Sequence, residues 1–268
     1  MPTAAAAELR QWEQPVLIVV YEYPFHESIR TLLRLEQLFD RLDLLRGRDH
    51  AVDHHYALAT VFEIMDVAAR ADIKSDLLQD LDRQRQQLAS FRGNPSISEA
   101  ALDAAVKRIN TAWSALNALP GKAGQALNGN DGLMSIRSRI SIPGGTCSFD
   151  LPAYHAWQQR PVAERRADLM RWTAGFTPLA NALAVSLSLL REAGAPQSVS
   201  TRAGQYQQSL GNGRSYQLLR VAIDDACALV PEISGNRLLV AVRLMKSDAD
   251  GRLRPAGEDT RLDLTLCA

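Results

Sequence analysis

The sequence has 268 residues, of which 46% are hydrophobic and 22% are charged. This is an ordinary globular composition, with length enough for one large domain or two small ones. The formal net charge is zero, from 30 Lys and Arg against 30 Asp and Glu, so no global charge attracts the chain to nucleic acid or anionic lipid. An electrostatic partner must therefore be recognised by a local patch.

The N-terminus and the cysteines both favour a cytoplasmic protein. Residues 1–14 have no basic region followed by an apolar core, so they predict a disordered tail rather than a signal peptide. The apolar runs at 16–20 and 179–190 are too short to cross a bilayer, so we predict no membrane insertion. The three cysteines are widely separated and lack CxxC spacing, which argues against a disulfide framework and a zinc knuckle.

The first predicted element is a β-branched apolar strand at residues 15–23, closed by Pro24. Helical spacing then begins at His26 and predicts a long amphipathic helix that ends near Gly47. Ser98 is a predicted N-cap, and Pro152 is a predicted first-turn proline. Further helices are predicted at about 53–70, 72–91, 98–119, 133–139, 152–159, 161–174 and 177–191.

The texture changes after Gly194. Strand-like runs separated by Gly, Asn, Asp and Pro occupy residues 216–223, 237–245 and 261–266. The segments 211–213 and 248–251 predict hairpin connections, and residues 146–149 alternate well enough to predict an isolated short strand.

Helices followed by strands indicate an α+β protein, with an N-terminal all-helical domain and a C-terminal antiparallel β-domain. We expect a tail at 1–14, a strand at 15–23 that joins the β-domain, a helical domain at 24–194 and a β-domain at 195–268. The short strands near Ile18 and Cys147 are expected to be recruited by the β-domain.

A histidine cluster is the strongest metal candidate. His50, His54 and His55 lie beside Asp53, and histidines four residues apart on a helix can ligate zinc. No HExxH pattern accompanies them, so a solvent-facing helix start is favoured over a metal-dependent hydrolase.

Two further patterns suggest enzyme chemistry. Cys147 and His155 could form a thiol nucleophile with its base, but a structural cysteine is favoured. Residues 143–146 could cradle a phosphate, but P-loop spacing is absent, so a tight turn is favoured. With no GxSxG and no GxGxxG after a strand, the sequence predicts a protein that is not an enzyme and needs no cofactor.

Two acid-free basic stretches lie in the predicted β-domain. Between Ala193 and Ile223 the ionisable charges are arginines alone, and between Ile233 and Ser247 they are two arginines and one lysine. Arginines on one strand face would bind a carboxylate-rich peptide through bidentate hydrogen bonds. The alternative is a solvated face neutralised by nearby acids. The basic residues are Arg202, Arg214, Arg220, Arg237, Arg243 and Lys246, and the acids are Asp224, Asp225 and Asp263.

Residues 141–157, SIPGGTCSFDLPAYHAW, resemble the SIPGGxCSFDLPxxHxW signature of the ZapD family of bacterial cell-division factors. Supporting matches occur at 21–24, 29–36, 77–84 and 231–235, so the resemblance covers the chain from about residue 16 onwards. It implies a helical domain joined to a β-domain, a homodimer formed largely through helices, and no catalysis. It also implies recruitment to mid-cell, where the protein binds the C-terminal tail of the tubulin-like GTPase FtsZ and cross-links its filaments.

The resemblance and the basic stretches together give the expected cleft for the FtsZ tail. The chain departs from the family pattern at Leu239, where a basic residue is expected, and Arg237 is its expected substitute. The alternative function is a nucleic-acid-binding module that uses the same basic patch. The candidate partner-binding residues are Arg34, Arg70, Arg202, Arg220, Arg237, Arg243 and His155.

Overall fold

The computed structural model describes residues 18–70, 72–211, 213 and 215–268. The chain divides into a helical unit, His26–Ala193, and a β-unit that combines the described residues 18–25 with Gly194–Ala268. Helices lie in the first part of the chain and antiparallel strands in the last part, which confirms the predicted α+β class. The predicted tail at 1–14 and the start of the first strand lie outside the described residues.

The helical unit is built from amphipathic helices whose apolar faces meet. Helix α1 packs against α2, α3 packs against α4, and α8 packs against α1, α3 and α4. Leucines from different helices, including Leu35, Leu58, Leu77 and Leu187, have no solvent exposure. The helices are α1 Glu27–Arg46, α2 Ala51–Arg70, α3 Ile73–Ala89, α4 Glu99–Ala118, α5 Asp131–Arg139, α6 Pro152–Gln158, α7 Val162–Thr173 and α8 Thr177–Glu192.

Side chains satisfy several helix ends in this unit. The predicted N-cap is confirmed, because the Ser98 hydroxyl accepts from the backbone N–H of Ala101 at 3.3 Å. Lys74 donates to the carbonyl of Leu119 at 2.7 Å, and Lys122 donates to the carbonyl of Ala69 at 2.8 Å. Both ammonium groups therefore lie at the negative C-terminal ends of helices α4 and α2.

A buried arginine joins α7 to the start of α2. Arg165 donates to the carbonyls of Asp49, Gln158 and Arg160 and, through Nε, to His54 Nδ1 at 3.0 Å. His54 Nδ1 must therefore be an acceptor, and Nε2 donates to the carbonyl of Arg48 at 2.7 Å. These bonds compensate for removing the guanidinium from water. The expected solvent-facing helix start is wrong for His54. Its side chain is fully buried, where it accepts a hydrogen bond from the Arg165 guanidinium.

The segment Val162–Glu192 is long and apolar enough, by length and composition, to cross a membrane. In the structure it contains α7 and α8, and 44% of its most apolar window is buried. Leu169, Leu179 and Leu187 contribute to the core of the helical unit. Length and composition alone are weak evidence for a membrane span, because the core helix of a soluble protein passes the same test.

The β-unit contains two antiparallel sheets. One has the strand order β1-β4-β8-β2, and the other has the order β3-β6-β5, with β7 also paired to β6. The strand near Ile18 pairs along its whole length with β4, from Ile18 opposite Asp224 to Pro24 opposite Leu218, so its predicted recruitment is confirmed. The strands are β1 Ile18–Pro24, β2 Pro196–Ser200, β3 Gln205–Ser209, β4 Leu218–Asp224, β5 Leu229–Gly235, β6 Leu239–Ser247, β7 Leu253–Pro255 and β8 Arg261–Cys267.

The two sheets pack face to face over one apolar core. Val221 and Leu264 from the first sheet meet Val242 and Leu244 from the second. Because strand side chains alternate between faces, the residues between these core positions point away from the core. The Tyr23 hydroxyl of β1 also bonds the N–H and the carbonyl of Gly235 in β5, each at 3.1 Å, which links the two sheets.

The predicted strand at Cys147 is wrong. Residues 142–151 form successive turns, in which the N–H of Gly145 bonds the carbonyl of Ile142 and the N–H of Cys147 bonds that of Gly144. Gly144 has a φ of 69°, a value that glycine adopts without steric cost. The backbone groups find partners locally, so no strand pairing is needed. The tight turn favoured for residues 143–146 is therefore confirmed.

One of the two predicted hairpins is also wrong. Residues 248–251 do connect the paired strands β6 and β7. Residues 211–213, in contrast, connect β3 to β4, which belong to different sheets. Leu210 and Leu219, at the two ends of this connection, are both in the shared core, so the chain crosses from one sheet to the other there.

The buried histidine predicts a loss of stability in mild acid. Burial holds the pKa of His54 below its ordinary value, and the nearby Arg165 cation lowers it further. Below about pH 6.5 the unfolded chain therefore binds a proton at His54 that the folded chain does not. The free energy of unfolding should then fall by at most about 1.4 kcal/mol for each unit of decrease in pH. We expect the melting temperature to decrease as the pH is lowered from about 7.5 to about 5.5.

The variant His54→Gln should melt at a lower temperature but with a shallower dependence on pH. Some dependence remains, because burial also lowers the pKa of His55. His155→Gln, at an exposed histidine, is the matched control and should follow the wild-type curve. Equal pH dependence in wild type and His54→Gln would contradict the assignment.

Candidate functional site

A shallow hollow of about 660 Å³ lies on the outer face of the second sheet. Val242 and Leu244 of β6 point into the core, so Arg243 between them points outwards. Ala241 also lines the hollow, where its small side chain leaves room. We call this surface the Arg243 hollow, and its charged and polar lining residues are Arg202, Gln205, Gln207, Glu232, Ser234 and Arg243.

Strand register arranges four of these residues in a row. Gln205 of β3 and Glu232 of β5 lie on either side of Arg243. Arg202 in turn pairs with Gln205 as an isolated bridge. Strands lie about 5 Å apart, so the two arginines are separated by about 10 Å and Glu232 follows about 5 Å beyond Arg243. The order across the sheet is cation, amide, cation, carboxylate.

A tight turn positions Arg202 at one end of this row. The backbones of Arg202 and Gln205 exchange two hydrogen bonds, at 2.8 and 3.0 Å, around Ala203 and Gly204. Both central residues have positive φ, 48° and 71°, as a type I′ turn requires. A Cβ at Gly204 would lie 1.9 Å from the carbonyl oxygen of Ala256, so glycine is required there.

The charged groups of the row have no ion-pair partners in the described part of the chain. Neither Arg202 nor Arg243 forms a side-chain hydrogen bond or ion pair there, and Glu232 forms none with Arg243 although the two residues are directly opposed. All three side chains belong to exposed residues. The guanidinium groups are therefore available to an external carboxylate.

Arg237 lies in a second hollow of the β-unit, of about 580 Å³. It occupies the β5–β6 turn, which Asn236 fixes by accepting from the N–H groups of Leu238 and Leu239 at 2.8 and 3.1 Å. Phe25, Tyr216 and the exposed Leu238 also line this hollow. This hollow therefore contains the guanidinium of Arg237 next to the apolar side chains of Phe25 and Leu238.

Arg220 does not join the Arg243 hollow. It lies on β4, and its neighbours Leu219 and Val221 point into the shared core from the first sheet. Arg220 therefore occupies the face of the sandwich opposite to Arg243, and its Nε bonds Glu22 at 3.1 Å. The expectation that these strand arginines converge in one hollow is wrong for Arg220, because two packed sheets turn their outer faces in opposite directions.

The other candidates belong to the helical unit. Arg34 on α1 is exposed and lies 3.5 Å from Glu27. His155 on α6 is exposed. Arg70 is the last residue of α2, and its side chain lies outside the described residues.

The metal candidate finds no support among the described residues, which contain no group of three or more His, Cys, Asp or Glu side chains able to hold a metal ion. His54 is occupied by Arg165 and Arg48, and His55 Nδ1 lies 2.9 Å from the Tyr154 hydroxyl. His54 and His55 therefore take part in the packing of the helical unit, whereas His50 is exposed.

Two features of the surface were missed by the sequence reasoning. Glu232 is one, and it lies one residue before the acid-free stretch that begins at Ile233. The other is an apolar hollow of about 470 Å³ in the helical unit, lined by Tyr154, Trp157 and Trp172. Tyr154 and Trp157 stack at 5.7 Å, and their spacing of three residues on a helix is the signal that could have revealed this hollow.

Comparisons with known proteins cover nearly the whole chain. A family model described as the cell division protein ZapD matches residues 33–243. A cell division protein ZapD from Ralstonia pickettii (strain 12J) is 51% identical over 251 residues, which are 93% of this chain and 99% of that protein. Cell division proteins ZapD from Ralstonia nicotianae (strain GMI1000) and Cupriavidus necator (strain H16) are each 52% identical with the same coverage. The similarity includes both units.

The two strand arginines should differ in their effect on stability. Arg220→Ala removes a partly buried ion pair with Glu22 and should lower the free energy of unfolding by up to about 1 kcal/mol. Arg243→Ala removes an exposed side chain without a partner and should change it by less than about 0.5 kcal/mol. Urea unfolding of the full chain tests this difference. Equal losses in the two variants would mean that Arg243 has a partner in the folded protein.

Proposed function

The chain belongs to the ZapD family of cell division proteins, and we propose from this membership that it binds the C-terminal tail of FtsZ and bundles FtsZ filaments. The observation that carries the proposal is that the row in the Arg243 hollow contains two arginines, Arg202 and Arg243, with no ion-pair partner among the residues that the structure describes. The family supplies the partner, and the row supplies a surface on which an acidic peptide could be held. The proposed role is binding and not catalysis.

The chemistry of the contact follows from the two guanidinium groups. Arg202 and Arg243 each present a planar fork that can bind a carboxylate through two parallel hydrogen bonds. Gln205 and Gln207 lie beside them and can bond the peptide backbone. Because the site is shallow and exposed, each contact is weak and is screened by salt.

We propose that bundling arises from bivalence. An FtsZ filament carries one tail on every subunit, so a particle with two tail-binding sites gains from the high effective concentration of the second tail. A homodimer of this chain would supply the two sites. The proposed place of action is the cytoplasmic side of the division site.

The remaining candidates are ranked by their surroundings. Arg237 combines a cation with the apolar hollow of Phe25 and Tyr216, so it could hold a part of the tail that has both acidic and apolar residues. Arg34, Arg70 and His155 stay candidates on the helical unit. Arg220 is the weakest, because binding a tail there would require exchange of the Glu22 carboxylate.

The nucleic-acid alternative is disfavoured by the composition of the Arg243 hollow. Glu232 lies directly beside Arg243 and would repel a phosphate backbone. The hollow also contains only one aromatic residue, Tyr206, among its lining residues, whereas single-strand binding relies on stacking platforms. A gel shift with DNA and RNA should show no retardation at moderate salt.

Co-sedimentation with FtsZ polymers tests the main proposal. Reversal of both charges in Arg202→Glu with Arg243→Glu should weaken binding at least about tenfold, because like charges then face the tail. Arg252→Glu with Arg261→Glu is the matched control, since it makes the same change of charge at two exposed arginines of the same unit outside the hollow. Wild-type binding should weaken as KCl is raised from about 50 to about 500 mM, because the added salt shortens the distance over which charges attract.

FtsZ that lacks its tail provides the decisive comparison. We expect no binding and no bundling of such filaments by the wild-type protein. Unchanged co-sedimentation with tail-less FtsZ would exclude the tail as the partner. Equal binding by the Arg202→Glu/Arg243→Glu variant and the Arg252→Glu/Arg261→Glu control would exclude the Arg243 hollow as the site.

A further inference from the structure

Glu232 is the one acidic side chain that lines the Arg243 hollow. It is exposed, and among the described residues it forms no ion pair, no helix cap and no side-chain hydrogen bond. It therefore has no visible part in holding the fold. If the hollow bound acidic groups alone, this carboxylate would oppose binding by repulsion.

We propose that Glu232 selects tail segments in which a cationic side chain accompanies the carboxylates. This inference rests on the proposed function, since it concerns the peptide held by Arg202 and Arg243. The peptide's carboxylates would lie over the two arginines, and its lysine or arginine would lie over Glu232. The site would then recognise a pattern of charges and not merely an acidic sequence.

The strand register sets the spacing of that pattern. Glu232 lies about 5 Å from Arg243 and about 15 Å from Arg202 across the sheet, at about 5 Å per strand. An extended peptide advances about 3.3 Å per residue. A peptide that crosses the strands therefore needs its cation about two residues from one carboxylate and about four to five residues from another.

A simpler role for Glu232 is to moderate the positive charge of the hollow. In that case its removal would tighten the binding of every acidic peptide by the same factor, whether or not the peptide contains a cation. Selection makes a different demand, because removal would then abolish the advantage that the cation confers. The two roles are therefore distinguished by the ratio of the affinities for a peptide with a cation and a peptide without one. A single affinity cannot distinguish them.

The test uses two fluorescent peptides, the C-terminal tail of FtsZ and the same tail with every Lys and Arg replaced by Gln. Their dissociation constants are measured by fluorescence anisotropy. For the wild-type protein the Gln peptide should bind about threefold more weakly, the effect of one exposed ion pair. For Glu232→Gln the ratio should fall to about one, and for Glu232→Lys the Gln peptide should bind more tightly than the natural tail.

Glu164→Gln is the matched control, because it makes the same change of charge at an exposed residue of α7, outside the hollow. Its ratio should equal that of the wild type. An unchanged ratio of affinities in Glu232→Gln would overturn the selective role of Glu232. A natural FtsZ tail that contains no Lys or Arg would overturn it too. In either case, loss of tail binding in the Arg202→Glu/Arg243→Glu variant would still support the proposed function. Absence of tail binding by the wild-type protein would overturn both.

Discussion

The alternation of side chains around the shared core of the two sheets decides which charges can act together. Val221 and Val242 point towards each other in that core, so Arg220 and Arg243, each next to one of them, point in opposite directions. No rotamer change can bring two such residues into one hollow, because about 10 Å of packed side chains separates the sheets. The proposed partner-binding surface therefore lies on one sheet face, and strand register determines its charges.

This constraint explains how a chain of zero net charge can present a cationic site. Arg220 is compensated by Glu22 across two neighbouring strands, whereas Arg202 and Arg243 flank an amide, Gln205, that cannot neutralise either of them. The local positive charge arises because these two cations have no ion-pair partner in the described part of the chain, and not from an excess of basic residues. Such a site attracts an acidic segment at short range, with little long-range attraction to unrelated polyanions.

Much of the architecture is predictable from the sequence, because the spacing of apolar residues within a single segment indicates whether that segment is a helix or a strand. The strand near Ile18 and the cap at Ser98 are examples. Contacts across the chain leave no such signal. The second acid-free stretch begins at Ile233, so it leaves out Glu232, which β-pairing places beside Arg243. In the same way, nothing near His54 indicated that Arg165, more than a hundred residues later, would bury it.

The mixed charge of the row would suit the proposed site, which has to be specific without binding strongly. Two arginines alone would bind any acidic segment, and most disordered acidic segments in a cell would compete for them. Under the proposed selection, the carboxylate of Glu232 beside Arg243 would disfavour each of those competitors unless it also carries a cation at the right distance. In the proposed bundling, affinity for filaments would come from the number of sites engaged at once, while the choice of partner would come from the order of charges in each site.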